Sequence, residues 1–341
     1  MRTEWSGRLG WLGAIMLSAV MVACGSAAVP MASISAVPER DHVRFVYGST
    51  AGVHAPLPIA VAQNLFQKYG LTATAEFAES NTGIAALISG DAQLDLGDGV
   101  TTVQAIASGS PLKIVAYIDK ENPYAIVGRP DISSPSDLKG KTVAIGKVGD
   151  TSDISLRVGL TPYGVTVGQD VNVLQVGNSP SRWAALVSGQ VAASILDEST
   201  FKQQALSQGM HILVSLRDQR IPYANASLVV TESFAKENPK TVTAALKGLV
   251  DGTRFFADEN NRAASMAVVA KDLKLGPDDP QVAAAYESFH THLSTDAFPD
   301  KAGVETILQA LTAIDPARYG SISSDKVIDA SFATALRSGS S

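Results

Sequence analysis

Short polar side chains recur in this chain where an apolar run gives way to a segment of helical spacing, and several of them are acids. Ser49, Thr50 and His54 follow the first such run, Ser80-Asn81-Thr82 the second, and Asp98, Gly99 and Thr101 the third. Further along stand Gly149-Asp150-Thr151-Ser152, Asn178-Ser179 and Asp197-Glu198, with Arg182 as the nearby guanidinium. Residues of these types at strand-to-helix junctions bind ligands. Free N–H groups at helix starts suit a carboxylate, sulfonate or phosphate. Asp98, Asp150, Asp197 and Glu198 pull the other way. A cleft lined by them repels a dianion and favours a ligand with an amine or N–H donors, so an amino-heterocycle or a zwitterion fits better than a bare inorganic anion. Two of the four acids are expected to cap helices instead, which leaves the ligand's polarity open. Trp183 and Tyr223 are the candidate stacking residues in a chain only 6% aromatic, with Trp183 reading more readily as core than as platform.

The elements that must position these groups are repeated. Ala85-Ala86-Leu87-Ile88-Ser89-Gly90, leading to Asp98, returns 99 positions later as Ala184-Ala185-Leu186-Val187-Ser188-Gly189, leading to Asp197. Each copy reads as a short helix, a glycine stop, an apolar strand and an acidic loop. Ahead of the first copy, Val43 to Tyr47 is a β-rich run and Pro58 suits a first helical turn. Ile59, Ala62, Phe66 and Tyr69 share a helical face that Gly70 ends, and Thr72 to Phe77 alternates as a strand. The second copy answers with Thr142 to Ile145, a helical segment ending at Tyr163-Gly164, Val171 to Val176, and Ala192 to Leu196.

The expectation is an α/β chain of two similar halves, with ligand groups beyond the C-terminal ends of parallel strands. Tyr124 to Val127 is a strand between the copies, followed by Arg129-Pro130. A second crossing is expected in Ala226 to Thr231, and two crossings make a two-strand hinge that permits closure. Helical patterns then occupy Thr241 to Asp258, Asn261 to Leu273 and Asp279 to Leu293, as expected of helices packing on the first lobe.

Composition limits the functional classes. The 341 residues are 45% hydrophobic and 18% charged, enough for one large or two medium cores. The net formal charge of −6 is dispersed, without the basic stripe that a nucleic-acid partner requires. Arg2 and Arg8 precede an apolar run, Leu12 to Val22, too short to span a bilayer; Met21-Val22-Ala23-Cys24-Gly25 follows. These residues resemble a bacterial lipobox, with Met21 where leucine is usual, and imply acylation of Cys24 after removal of residues 1–23. A plain secretory signal cut near Ala23 or Ala28 is the alternative. Cleavage after Ala23 removes Arg2, Arg8 and Glu4, taking the formal charge from −6 to −7. Cys24 is the only cysteine, so no disulfide forms within the chain. Residues 24–40, rich in Ala and Ser, read as a flexible tether.

A family likeness accumulates along the chain. Ala62 to Leu71, Ala85-Ala86-Leu87 with Gly90 and Asp95, Ser136-Asp137-Leu138-Lys139-Gly140-Lys141-Thr142-Val143, and Asn238-Pro239 with Thr241-Val242 resemble, in order, motifs of ABC-importer solute-binding proteins. The group is the one that takes sulfonates, nitrate, taurine or thiamine-type pyrimidine precursors. The resemblance implies a two-lobed type II periplasmic-binding-protein fold, each lobe a mixed sheet flanked by helices. It places the first lobe at 41–130 and 227–341 and the second at 131–226. It further implies a monomer outside the cytoplasm, held to the membrane by its lipid, that passes a small molecule to permease subunits. Two residues depart from the family pattern: Asn64 replaces a glycine, and Ser194 an aspartate.

A sensing lipoprotein with a signalling partner is the alternative role. A pyrimidine-synthesising enzyme on the same fold is a weaker one, since that chemistry, as the family implies it, needs a cysteine-rich motif. No G-x-S-x-G or H-E-x-x-H occurs. Of the five histidines (His42, His54, His211, His290 and His292), the last two form a weak metal signal without a companion cysteine. No metal, cofactor or catalytic residue is expected.

Overall fold

In the computed structural model, which describes residues 37–50 and 52–338, the apolar runs pair into two five-stranded mixed sheets. The strands are β1 (His42–Tyr47), β2 (Thr72–Phe77), β3 (Leu94–Asp98), β4 (Leu112–Asp119), β5 (Tyr124–Gly128), β6 (Thr142–Ile145), β7 (Asn172–Gln175), β8 (Ala193–Asp197), β9 (His211–Ser215) and β10 (Ala226–Thr231). The helices are α1 (Pro56–Ala62), α2 (Ser80–Ser89), α3 (Gly99–Ala107), α4 (Thr151–Leu160), α5 (Ser179–Val187), α6 (Glu198–Ser207), α7 (Glu232–Glu237), α8 (Pro239–Ala257), α9 (Arg262–Leu273), α10 (Pro280–Phe289) and α11 (Lys301–Ile314). Three short ones close the chain: α12 (Pro316–Tyr319), α13 (Ser324–Val327) and α14 (Ser331–Ser338).

The first sheet has the order β2-β1-β3-β10-β4 and the second β7-β6-β8-β5-β9. In each, four strands run in one direction, three of them side by side as parallel pairs. The remaining strand, β10 or β5, is antiparallel to both neighbours. Position for position, β1 answers β6, β2 answers β7 and β3 answers β8. The repeated sequence is therefore one copy of a whole α/β half in each lobe.

The first change of sheet falls at 120–123, earlier than the boundary near 130 expected from the sequence. β5 belongs to the second sheet because its alternating side chains are buried on both faces: Ile126 joins one core cluster of that lobe, and Ala125 and Val127 the other. The second change falls at 216–225, ahead of β10. Neither linking segment is strand where it crosses, so the lobes are joined by two irregular connections.

Two local departures have physical reasons. The helix expected to run to Tyr69 stops after Ala62, and a 3-10 turn, Leu65–Tyr69, follows. Asn64 between them takes φ 55°, a left-handed conformation that asparagine tolerates, so it does what the family glycine does. The expected tether is docked at its end. Glu39 Oε2 accepts hydrogen bonds from the Thr241 N–H (2.8 Å) and hydroxyl (3.0 Å), and Oε1 accepts from the Lys240 N–H. Asn238, the N-cap of α8, makes no side-chain cap bond, so Glu39 satisfies the helix's free N–H groups from 200 residues away. Burial raises the Glu39 carboxyl and the bonds from Thr241 and Lys240 lower it, leaving it below the ordinary range. Cys24 and the expected signal peptide lie outside the described residues.

Candidate ligand-binding cleft

The C-terminal ends of the parallel strands in both lobes face a cavity of about 200 Å³. The first lobe contributes Gly48, Ser49, Val53, His54, Ser80 and Asp98 to its wall; the second contributes Tyr124, Thr151 and Asp197. Pro123 and Asn225 come from the linking segments, and Phe289 from the end of α10. Three larger depressions, of about 390, 380 and 730 Å³, lie against α4 and α11, between α6 and α10, and beside β2 and α9; none joins the strand ends of both lobes. The strand-end cavity is smaller than the roughly 300–1,000 Å³ usual for drug-sized ligands, so it suits a small molecule.

Asp98 and Asp197 occupy equivalent places in the repeat, each the last residue of its strand and the N-cap of the next helix. Asp98 Oδ1 accepts from the Thr101 N–H at 2.8 Å and from the Thr151 hydroxyl of the opposite lobe at 3.3 Å. Asp197 Oδ1 accepts from the Thr200 N–H (3.1 Å), the Thr200 hydroxyl (3.1 Å) and the Ser199 hydroxyl (2.6 Å). In both residues Oδ2 has no hydrogen-bond partner among the described residues. Tyr124, paired with Asp197 across β5 and β8, feels both lobes. Its hydroxyl is pushed up to about 12, by burial first and also by the carboxylates of Asp197, Asp150 and Asp98, with Arg182 opposing them.

His54 is 5% exposed, and its Nδ1 accepts the Ser49 N–H at 3.0 Å. The ring proton therefore sits on Nε2, assigned by that bond. Burial lowers the pKa to about 3, so the imidazole is a neutral donor at neutral pH. Asn225 donates Nδ2 to Asp119 Oδ2 at 2.8 Å, which makes Oδ1 its remaining acceptor.

Several expected ligand groups are engaged elsewhere. Asp150 caps α4: Oδ1 accepts from the Asp153 N–H and the Ser152 hydroxyl, and Oδ2 from the Lys147 N–H. Asn178 caps α5 through the Ser181 N–H. Glu198 accepts from Lys202 (2.7 Å) and Ser215 (2.6 Å) and lines a neighbouring groove. Arg182 is 4% exposed and donates to the Ile195 carbonyl, the Gly177 carbonyl and the Ser179 hydroxyl, bracing the turn before α5. Thr50 lines the depression beside β2, and Asn81 and Thr82 are exposed on the first turn of α2. Gly99 packs beneath Ala224, and the Thr101 N–H serves the Asp98 cap. Gly149 bridges the lobes by accepting from Gln104 at 2.7 Å. Tyr223 lies buried in the first lobe's core, and Trp183 packs on Phe201, as core. His290 stacks on Tyr286 and pairs with Glu259, and no group of side chains able to hold a metal occurs among the described residues.

Six of the expected residues (Ser49, His54, Ser80, Asp98, Thr151 and Asp197) thus meet at one cavity. Tyr124, Asn225 and Pro123 were missed because they flank the crossings, whose true positions are set by sheet pairing. Phe289 carries no sequence signal, arriving from a distant helix. On the α10 side, Arg217 donates to the Ser288 carbonyl at 2.5 Å and lies 4.9 Å from the Phe289 ring centroid, so the lobes touch on both flanks of the cavity.

A model of the family described as NMT1/THI5 like matches residues 51–263, more than half of the chain. The chain belongs to the NMT1/THI5-like family. This NMT1/THI5-like chain is 28% identical over 209 residues to the taurine-binding periplasmic protein of Escherichia coli (strain K12). That alignment covers 59% of the chain and 63% of the relative, so the chain spans less than two thirds of the curated protein it matches. The fold is similar to that of the periplasmic aliphatic sulphonate binding protein SsuA from Escherichia coli, with TM-score 0.67, 20% identity, and coverage of 81% of this chain and 88% of the other. It is also similar to the periplasmic nitrate-binding protein NrtA from Synechocystis PCC 6803, with TM-score 0.68, 16% identity, and coverage of 89% and 90%. At such identities the likeness is one of fold. The two-lobed binding-protein architecture implied by the sequence motifs is the architecture of this NMT1/THI5-like chain.

Proposed function

We propose that this chain is the extracytoplasmic solute-binding component of an ABC importer. It captures a small organic molecule, a sulfonate, zwitterion or amino-heterocycle, between its lobes and presents the closed form to permease subunits. The observation that carries the reading is the strand-end cavity shared by both lobes, with polar groups at matching positions of an internal repeat. The names of its relatives support small charged solutes of this kind. Acylation at Cys24 would tether the chain as a monomer to the membrane face; no helix among the described residues is long and apolar enough to cross a bilayer.

Thermal unfolding of the purified full chain in detergent, screened against taurine, alkanesulfonates, nitrate, aromatic carboxylates and aminopyrimidines, tests the first part. A ligand of the folded state raises the melting temperature by mass action. No rise with any of these classes would sink the reading. Cys24→Ser should release the chain from the membrane fraction, and retention there would refute the anchor.

A further inference from the structure

Resting on the reading of the strand-end cavity as the binding site, we propose that its ligand is an organic cation with at least two N–H donors, held between Asp98 of one lobe and Asp197 of the other. An alkylammonium, an amidinium or a protonated amino-heterocycle has this chemistry.

Four observations converge on it. Each aspartate spends Oδ1 on its own helix cap, and Asp98 also takes the Thr151 hydroxyl there, so Oδ2 of each is left as an unpaired acceptor. The N-termini of α3 and α6, which would otherwise attract an anion, are occupied by these same carboxylates, while that of α2, where Ser80 lines the cavity, carries no side-chain cap. No lysine or arginine lines the cavity, and Arg182 behind it has its Nε and both Nη atoms bonded to Ile195, Gly177 and Ser179. Asn225, 9% exposed, is oriented by its bond to Asp119 and keeps its carbonyl oxygen and one N–H. Two carboxylate oxygens thus face the cavity with no basic side chain in its wall. His54, nine-tenths buried and unpartnered at Nε2, supplies the counterpart: an N–H for one acceptor on the ligand. Tyr124 adds an aromatic ring beside the two carboxylates, where a cation is favoured further.

The test is calorimetric titration of the full chain in detergent with benzamidine, ethanolamine and 4-aminopyridine, against isethionate and nitrate as anions without a cationic nitrogen. The variants are Asp98→Asn and Asp197→Asn. Asparagine caps a helix as well as aspartate does, so each substitution keeps the helix start and turns only the ligand-facing oxygen into a donor. Asp91→Asn, at an exposed position, is the control. The expected result is binding of at least one cation, weakened at least tenfold by either cavity variant and unchanged by the control, with no heat from isethionate or nitrate. Anion binding that either cavity variant strengthens would overturn the cation assignment while leaving the cavity as the site. Binding of any probe that is indifferent to both variants would overturn the cavity as the site. Failure of all three cations at millimolar concentration would also refute the proposal.

Discussion

Asp95 offers a quantitative check on the interior of the first lobe. It is the second residue of β3, 1% exposed, between two glycines: a Cβ on Gly83 or Gly97 would stand 3.0 or 2.8 Å from its Oδ2. Its carboxyl has no hydrogen-bond partner among the described residues. Burial, reinforced by the nearby Asp98 carboxylate, pushes its pKa from the ordinary 3.8 up to about 8. In the unfolded chain the same group ionises from pH 3.8 upward, while the folded protein keeps it protonated. The unfolded state thus binds fewer protons, and stability falls as pH rises between these two values. Each pH unit in that window removes about 1.4 kcal/mol, so about 4 kcal/mol has gone by neutral pH. Asp95→Asn is nearly isosteric and cannot ionise. Urea unfolding of both proteins at intervals from about pH 4 to about pH 8 should give equal stabilities at the acid end. The variant's advantage should then grow to about 4 kcal/mol near pH 7. Curves that stay parallel across the window would show that Asp95 is ionised and solvated in the folded protein, and the reasoning would fail.

Other substitutions probe the framework around the cavity. Gly99→Ala would place its Cβ 2.5 Å from the Ala224 carbonyl oxygen and 2.8 Å from the Ala224 Cβ. It should destabilise the fold by about 1–3 kcal/mol and, by displacing the neighbour of Asn225, weaken ligand; an unchanged urea midpoint would contradict this packing. Glu39→Ala removes the cap that residue 39 supplies to α8 and should cost about 1 kcal/mol, read as a lowered melting temperature. No change there would mean the docked end of the tether bears no load. Arg217→Ala removes the bond to Ser288 and the cation on Phe289, together about 1–2 kcal/mol of contact between α10 and the second lobe. Small-angle scattering should then show a larger radius of gyration without ligand, and an unaltered radius would locate the closing contacts elsewhere.

The repeat was legible because its signals are local. A glycine with φ near 80° ends α2 or follows the end of α5 (Gly90 and Gly189), and an aspartate caps the helix after each matching strand (Asp98 and Asp197). Such chemistry depends on a few adjacent residues, so it can be read from the chain alone. What could not be read depends on distant partners. β4 has no counterpart among the sequence expectations; its place is defined by β10, more than 100 residues later. Asp150, a cap, and Asp98, a cap that also faces the cavity, look alike in sequence. They differ because the Asp150 carboxylate takes the Lys147 N–H on its second oxygen while nothing in the first lobe reaches Asp98 Oδ2. Arg182 read as a ligand group because a guanidinium usually seeks a carboxylate, but here backbone carbonyls and a serine satisfy it. Ser194, in place of the family aspartate, is fully buried with its hydroxyl unpaired, whereas its counterpart Asp95 retains the acid.

The insertion of β10 between β3 and β4 also dictates an order of assembly. All five strands of the second sheet come from one continuous stretch, β5 to β9, which can pair as soon as that stretch is complete. In the first sheet, β3 and β4 never touch; a gap one strand wide separates them until Ala226–Thr231 arrives from the far side of the second lobe. Closing a loop of this length is slow relative to local pairing. The later-synthesised lobe should therefore gain its hydrogen-exchange protection first, with Leu94–Asp98 and Leu112–Asp119 protected together and last. The first lobe matures only when the chain has returned to it, so a chain with just one finished lobe has no cleft and cannot bind solute before folding is complete.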